Sequence, residues 1–333
     1  MANIGFWKVL SLLFALALLL PFFSHADDVK SQTNPTQVET TDHSSSTDSA
    51  SPKGPADVLV SVYVLNIGKY DLNSGRYTID FYIDFQHPVG IDPSKFEFVN
   101  GRASRPDLII STPTEHFYRM QANLYDAVDL RKFPFDHQKL EIILEDKSKT
   151  INELRYLPLL EETDMDKSVM DFPGWNIDGW KAFTRIHDYP IWKEKYSQYV
   201  FEIDISRAPF NAFMKTFLPI CFILLIIIAS VLLPPSEAKK KLSIVGTGLA
   251  ATVMFHLSIA KKIPAVGYLT FADKFMVLTY IVLLLSFAVT VWVVTVKNNP
   301  LKKDLINRVQ NWTLILMLIL VPAAYVLLFL LGA

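Results

Sequence analysis

The chain has 333 residues and a balanced charge, with 32 basic and 33 acidic side chains and a formal net charge of −1. That balance argues against a nucleic-acid partner, because binding a phosphate backbone needs a basic face. Hydrophobic residues make up 51% of the chain and concentrate near its beginning and in its last third, which disfavours a uniform cytosolic enzyme. The single cysteine, Cys221, excludes an intrachain disulfide and a thiolate zinc site.

Residues 1–26 have the pattern of a secretory signal peptide. Lys8 supplies a positive charge, residues 9–20 are an apolar run, and Ser24 and Ala26 are small residues at a cleavage position. An uncleaved anchor is the alternative. In both cases the chain that follows is predicted to be exported.

Residues 27–55 are rich in Ser, Thr, Asp and Pro and lack apolar periodicity, which predicts a disordered tether. Residues 56–207 then alternate between short β-branched or aromatic runs and turn signals, which predicts an all-β sandwich of nine or ten strands outside the membrane. The clearest runs are Val58–Ile67, Tyr77–Phe85, His116–Tyr125, Gln138–Leu144, Ile177–Ile186 and Tyr199–Ile205.

Residues 208–333 contain four apolar stretches, each long enough to cross a hydrocarbon core of about 30 Å as a helix. The connectors 236–241 and 297–311 are rich in Lys and Arg, so the positive-inside rule places them in the cytoplasm. We therefore expect a multi-pass protein of the cell (inner) membrane, surrounded by lipid, with its β domain extracellular or periplasmic. The four predicted helices cover about 209–233, 240–260, 272–297 and 310–332.

Several short motifs resemble one family. Phe133-Pro134-Phe135-Asp136, followed by Gln138, matches the signature loop between two sandwich strands in the pentameric ligand-gated ion channels, the Cys-loop receptor superfamily. Arg207 before the first span, Pro219 within it and Pro264 between the second and third spans fit the same family. The resemblance covers residues 56–333 and is strongest to the prokaryotic branch.

The chain departs from the family pattern at three places. Asp126 and Leu140 stand where animal members carry the two loop cysteines. Ser104 replaces a tryptophan in the segment before Pro106, and Phe85 stands where a strand tryptophan is common. The disulfide of animal members is therefore absent, as in prokaryotic relatives.

The resemblance implies a homopentamer in which a small-molecule ligand or a proton acts on the sandwich and opens a pore for inorganic ions. It implies neither an enzyme nor a cofactor, and the sequence contains no phosphate loop, no catalytic motif and no metal-ligand spacing. A non-conducting, membrane-anchored sensor is the alternative from a different class.

The second apolar stretch carries a stripe of polar and apolar residues at helical spacing. Five such helices around an axis would form hydroxyl rings followed by an apolar constriction, for which Ala250 and Met254 are the candidates. The alternative is that the hydroxyls bond to backbone or to a neighbouring helix. The predicted pore-lining residues are Ser243, Thr247, Ala250, Met254, Leu257 and Ser258.

Charges at the pore mouths do not decide between cation and anion selectivity. Lys241 and Lys261 would favour anions if they faced the axis, whereas Glu237 is the candidate for an acidic ring at the inner mouth. Because prokaryotic relatives are mostly cation channels, we expect cation selectivity and keep an anion channel as the alternative. His256 lies about 220° around the helix from Ser243, so it is expected to pack against the first or third span.

The resemblance also implies a coupling interface where the sandwich rests on the helices. An Arg at such a junction needs a carboxylate, and Asp136 and Asp71 are the candidate partners of Arg207. The predicted interface residues are Asp71, Pro134, Phe135, Asp136, Arg207 and Pro264.

The ligand site of relatives lies under the loop between the last two strands, here about residues 187–198. Aromatic side chains there suit an amine, but the turn 145–149 lacks an aromatic residue, so a carboxylate ligand, a proton or a divalent cation is equally compatible. The predicted ligand-binding residues are Tyr189, Trp192, Tyr196 and Tyr199.

Overall fold

The computed structural model describes residues 54–170 and 172–332. The predicted signal peptide and nearly all of the predicted tether lie outside these residues. Eleven strands occur in the described part of the chain: β1 Ala56–Ile67, β2 Arg76–Gln86, β3 Phe96–Phe98, β4 Gly101–Ala103, β5 Asp107–Ser111, β6 Glu115–Tyr125, β7 His137–Asp146, β8 Leu154–Pro158, β9 Asp164–Met165, β10 Asn176–Tyr189 and β11 Glu194–Ser206.

The strands form two sheets that pack as a sandwich. One sheet has the order β4-β6-β2-β1-β8, with β5 on β6 and β9 on β1, and the other has the order β10-β11-β7-β3. Every second residue of β1 from Val58 to Val64 is fully buried, as expected when one face of a strand lines a core. The predicted sandwich is confirmed, and residues of both sheets share one apolar core.

Five α-helices follow β11 in the described residues. They are α1 Pro209–Thr216, α2 Leu218–Val231, α3 Ala238–Ala260, α4 Phe271–Val296 and α5 Lys303–Gly332. The helices α3, α4 and α5 are long and apolar enough to cross a membrane, and α1 with α2 makes a fourth span if the bent pair is counted as one. A sandwich followed by an apolar helical bundle is therefore the architecture of the chain.

The first span bends by 50° between α1 and α2. Pro219 occupies the beginning of α2, where its missing N–H costs no intrahelical bond. The last helix begins seven residues before the predicted position 310, because polar residues of the connector 297–311 continue it. Hydropathy marks the apolar part of a helix and does not mark its end.

Candidate functional site

The loop between β6 and β7 joins the sandwich to the helices. The Phe135 ring at the tip of this loop lies 6.0 Å from Phe217, 5.8 Å from Phe271 and 5.8 Å from Phe329, measured between ring centroids. Phe217 joins α1 to α2, Phe271 begins α4 and Phe329 belongs to α5. Aromatic rings from the helical part therefore surround one residue of the β domain. The preceding Pro134 is buried and follows a cis peptide bond.

Backbone hydrogen bonds tie the same loop to the start of α4. The amide of Phe271 donates to the Arg131 carbonyl at 2.9 Å, and the amide of Ala272 donates to the Phe133 carbonyl at 3.0 Å. The Leu130 amide donates to the Tyr268 hydroxyl at 2.9 Å. The bonds from Phe271 and Ala272 satisfy N–H groups in the first turn of α4, which has no earlier turn to bond.

An ion pair lies directly above this contact. The Arg207 Nε donates to Asp136 Oδ1 at 2.6 Å, and the Asp136 side chain is fully buried. The guanidinium carbon lies 4.4 Å from the Trp175 ring centroid and 5.3 Å from that of Phe133. The structure therefore brings together Arg207 and Asp136, as the sequence motifs suggested.

Asp71, the second candidate partner of Arg207, bonds within its own turn instead. Its carboxylate accepts hydrogen bonds from the Asn73 amide at 3.1 Å and the Ser74 hydroxyl at 2.7 Å, and these bonds close its own turn. Asp71 is thus not the partner of Arg207, although Leu72 beside it packs against the helical core. Pro264 is half-buried in the link between α3 and α4, where Tyr268 makes the hydrogen bond to the β domain.

One face of α3 is left exposed by the rest of the described chain. Residues on the opposite face are buried, including Val245, Thr252 and Ile259. The Thr252 hydroxyl bonds to the Gly248 carbonyl at 2.9 Å, which is the local bonding considered as the alternative for the stripe. The exposed positions include all of the predicted pore-lining residues: Ser243, Thr247, Ala250, Met254, Leu257 and Ser258.

The charges at the ends of α3 do not share one face. Lys241 is only 5% exposed, and its Nζ donates to the Val231 carbonyl at 3.3 Å. The prediction of Lys241 as a pore-mouth residue is therefore wrong. Lys241 precedes Ser243 by two residues, so its side chain lies about 200° around the helix from the stripe. Glu237 remains partly exposed and pairs with Lys240 at 2.9 Å, while Lys261 is exposed at the other end.

His256 faces the third span. Its Nδ1 lies 3.1 Å from the Tyr280 hydroxyl and its Nε2 lies 3.3 Å from Asp273 Oδ1. Both partners belong to α4, so the ring is on the side of α3 away from Ser243, as expected.

The chain was compared with known proteins, and no protein-family model matches it. It is 24% identical over 200 residues to the "Proton-gated ion channel" of Gloeobacter violaceus, a match that covers 58% of this chain and 55% of the relative. It is also 24% identical over 170 residues to the neuronal acetylcholine receptor subunit alpha-9 of Homo sapiens, covering 51% of this chain and 35% of that subunit. Both relatives are Cys-loop pentameric ligand-gated channels, and the chain is similar to each of them at 24% identity.

The matches span about half the length of the Gloeobacter relative and about a third of the alpha-9 subunit. These relatives are ion channels and not enzymes. The apolar helices of this chain agree with a membrane protein of the same kind.

The loop between β6 and β7, which resembles the signature loop of these channels, is closed without a disulfide. The Asp126 Oδ2 accepts hydrogen bonds from the Glu141 amide and from the Tyr77 hydroxyl, both at 2.7 Å. The Asn100 amide adds a bond of 3.2 Å to Oδ1. Burial raises the pKa of the Asp126 carboxyl. The carboxylate of Asp126, which stands at one of the two cysteine positions of animal members, therefore links the end of β6 to β7.

Three of the four predicted ligand-binding residues cluster at the tip of the hairpin formed by β10 and β11. The Tyr189 ring lies 5.4 Å from Trp192 and 5.6 Å from Tyr196 between centroids. Tyr199 is wrong as a member of this group, since it is 0% exposed within the sandwich core. It lies three residues after Tyr196 on one strand, so the two side chains point to opposite faces.

Sequence reasoning missed Glu145, which lies beside the hairpin cluster. Its carboxylate accepts hydrogen bonds from the Tyr189 hydroxyl at 3.1 Å and from Gln198 Nε2 at 2.8 Å, and His187 Nδ1 lies 3.0 Å away. Burial and the bond to Glu145 raise the pKa of Tyr189 to about 12. The available signal was a carboxylate pair, Glu145 and Asp146, directly after the apolar run 142–144, at the end of a strand that pairs with β11.

Proposed function

We propose that the protein is a subunit of a homopentameric ligand-gated ion channel whose pore is lined by the exposed face of α3. The observation that carries this proposal is the stripe itself, where hydroxyls and then apolar side chains follow one line of the helix. Five copies facing an axis would supply rings that replace part of an ion's hydration shell, followed by an apolar gate. The relationship to named ion channels supports the same function.

We further propose that the channel selects cations. Lys241 is withdrawn toward the end of α2, where its charge meets the negative end of that helix. Glu237 stays partly exposed at the inner end of the stripe, so its carboxylate is available for an acidic ring. Anion selectivity is the competing proposal, and Lys261 at the outer end is the residue that favours it.

The stimulus is proposed to act on the β domain from outside the membrane. The aromatic hairpin with Glu145 offers ring faces and a carboxylate to a small molecule, and the name of the proton-gated relative makes a proton the second candidate stimulus. Movement of the sandwich would reach the bundle through the contacts of Phe135 and through the Arg207–Asp136 pair. Lipid surrounds the outward faces of the helices in this arrangement.

Charge selectivity is tested by recording from oocytes that express the full chain. Currents are evoked by external acidification or by a panel of small amines. Dilution of external NaCl is expected to move the reversal potential to more negative values, as for a cation pathway. A shift to more positive values would show that anions carry the current. Protein at the surface that passes no current under any stimulus would favour the non-conducting sensor.

Pore lining is tested with cysteines in a Cys221→Ala background, which removes the chain's own thiol. Thr247→Cys is expected to make the current sensitive to a membrane-impermeant methanethiosulfonate, because Thr247 lies on the exposed stripe. The matched control is Thr252→Cys, since Thr252 is fully buried on the other side of the same helix. Block at position 252 without block at 247 would place another face at the pore.

A further inference from the structure

A small internal cavity lies where α2, α3, α4 and α5 meet, near the end of α2 and the beginning of α3. The space open to the centre of a water molecule is about 10 Å³, which is the room that one water needs. Apolar side chains form part of its wall, namely those of Val231, Val289 and Val293. The polar residues of the wall are Lys241, Ser286, Thr290, Gln310 and Thr313.

The ammonium group of Lys241 is buried in this wall without a counter-charge. The residue is 5% exposed, and its Nζ donates to the Val231 carbonyl at 3.3 Å. Among the described residues, no carboxylate oxygen lies within 4.0 Å of this nitrogen. An ammonium group carries three N–H donors, so a single carbonyl leaves it in need of further acceptors.

The side chain of Gln310 has the opposite need. Its Nε2 donates to the Val231 carbonyl at 2.8 Å and to the Leu233 carbonyl at 2.6 Å, which fixes the orientation of the amide. Its Oε1 is buried and, within residues 54–170 and 172–332, accepts no hydrogen bond. A buried amide oxygen without a donor costs free energy, and no bulk water reaches it inside a bilayer.

The threonine hydroxyls of the cavity have already used their hydrogens. Thr290 Oγ1 donates to the Ser286 carbonyl at 2.8 Å, and Thr313 Oγ1 donates to the Val309 carbonyl at 2.8 Å. Their oxygens keep lone pairs and can only accept further bonds. A molecule in the cavity must therefore accept from Lys241 and donate to Gln310.

Water is the occupant that meets both needs. A chloride ion would accept from Lys241, but Gln310 Oε1 and the Val231 carbonyl would repel it. A metal cation would be repelled by the ammonium group, and an apolar group would leave both polar side chains unpaired. Water supplies donors and acceptors in a volume that this cavity admits.

We propose that the cavity holds one buried water molecule, which accepts a hydrogen bond from Lys241 Nζ and donates one to Gln310 Oε1. The water joins α3 to α5, while Gln310 joins α5 to the end of α2. These directional bonds specify one position of α5 along its axis, which apolar contacts such as those of Leu314 and Leu318 do less sharply. The site does not depend on ion conduction, so failure of the Thr247→Cys test would leave it unaffected.

A structure of the full-length protein in a lipid nanodisc, at a resolution that shows ordered water, tests the site directly. A density peak is expected within about 2.7–3.2 Å of both Lys241 Nζ and Gln310 Oε1. A direct bond between these two atoms, or a cavity without density, would overturn the proposal. Crystals grown in sodium bromide add a second readout, because an anomalous peak in the cavity would identify an anion instead of water.

Filling the cavity tests the same site through stability. Ser286→Val places methyl groups in the space of the water, so the midpoint of thermal unfolding in detergent is expected to fall by several degrees. Ser286→Ala keeps that space and is expected to lose less. Thr295→Val is the matched control on the same helix, since Thr295 is exposed and outside the cavity wall. A higher midpoint for Ser286→Val would show that the cavity is dry, because filling an empty cavity stabilises a protein.

A double-mutant cycle separates the loss of water bonds from steric crowding. Lys241→Met removes the ammonium donor, so in that background Ser286→Val is expected to lower the midpoint by less than half as much. An equal loss in both backgrounds would attribute the effect to crowding and would contradict the water site. If Ser286→Val does not fold, the density at the cavity decides.

Discussion

The junction between the sandwich and the helices differs from the exposed face of α3 in how complete it is within one chain. At the junction, Arg207 and Asp136 are paired, and the amides of Phe271 and Ala272 have their acceptors. Along α3, the stripe that begins at Ser243 faces away from the bundle. Contacts within one chain therefore explain stability at the junction, whereas the exposed stripe needs other molecules to cover or fill it.

The largest expected effect is at the junction. Arg207→Ala leaves the fully buried Asp136 carboxylate without its cation, which costs about 3–5 kcal/mol for a buried pair. We expect loss of surface protein and of current, measured by surface biotinylation and recording. Arg207→Lys should be intermediate, because an ammonium group does not reproduce the planar contact with Trp175.

The control for this prediction is an exposed ion pair in the same loop. Arg131 and Asp129 pair at 2.7 Å but remain largely in solvent. Arg131→Ala is therefore expected to cost no more than about 1 kcal/mol. Equal losses for Arg131→Ala and Arg207→Ala would show that the buried pair has no special part in holding the junction.

A smaller effect is expected for the hydrogen bonds that close the β6–β7 loop. Asp126→Ala removes the acceptor of the Glu141 amide and the Tyr77 hydroxyl, at a cost of about 1–3 kcal/mol in unfolding free energy. Asp126→Asn keeps an acceptor oxygen and is expected to lose less. Thermal unfolding of the detergent-solubilised protein measures both variants.

The pH dependence of these variants has a definite sign. Because burial raises the pKa of Asp126, folding favours its protonated form, and that contribution to stability is lost as pH rises through the raised pKa. Relative to Asp126→Asn, the natural protein should therefore gain stability as pH falls through that pKa. A difference that does not change with pH would show that the carboxyl titrates as it does in the unfolded chain.

A substitution on the exposed stripe of α3 is expected to have the smallest effect on folding and a clear effect on function. Met254 is exposed, so Met254→Ser is expected to change stability by no more than about 0.5 kcal/mol. If the side chain forms an apolar gate, a hydroxyl there should wet it and raise the resting conductance severalfold. Unchanged resting current together with normal surface expression would show that Met254 does not form the gate. The exposed stripe would then lack the functional role that distinguishes it from the junction.

Much of this architecture is predictable from local pattern. The strand Val58–Ile67 was anticipated to within two residues of β1, because alternation of buried and exposed positions is written directly in the sequence. The α3 stripe follows from helical periodicity in the same way. The charge of Lys241 suggests a pore mouth, but its angle around the helix puts it on the buried side of α3.

Other features depend on which strands pair, and local pattern does not reveal this. Glu145 reaches the hairpin because it lies opposite Gln198 in the pairing of β7 with β11. Asp84 meets Phe117 because they are opposite each other in the pairing of β2 with β6. Both pairs are far apart in the chain, so local pattern does not place either carboxylate.

The carboxylate closure at Asp126 has a consequence for how the protein matures. With Cys221 as the only thiol in the chain, no thiol oxidation within the chain is needed to form the signature loop. Assembly should therefore proceed equally well in cells that lack disulfide-forming catalysts. Reductants such as dithiothreitol should leave the folded loop intact, whereas in animal members the corresponding loop depends on a redox-sensitive bond.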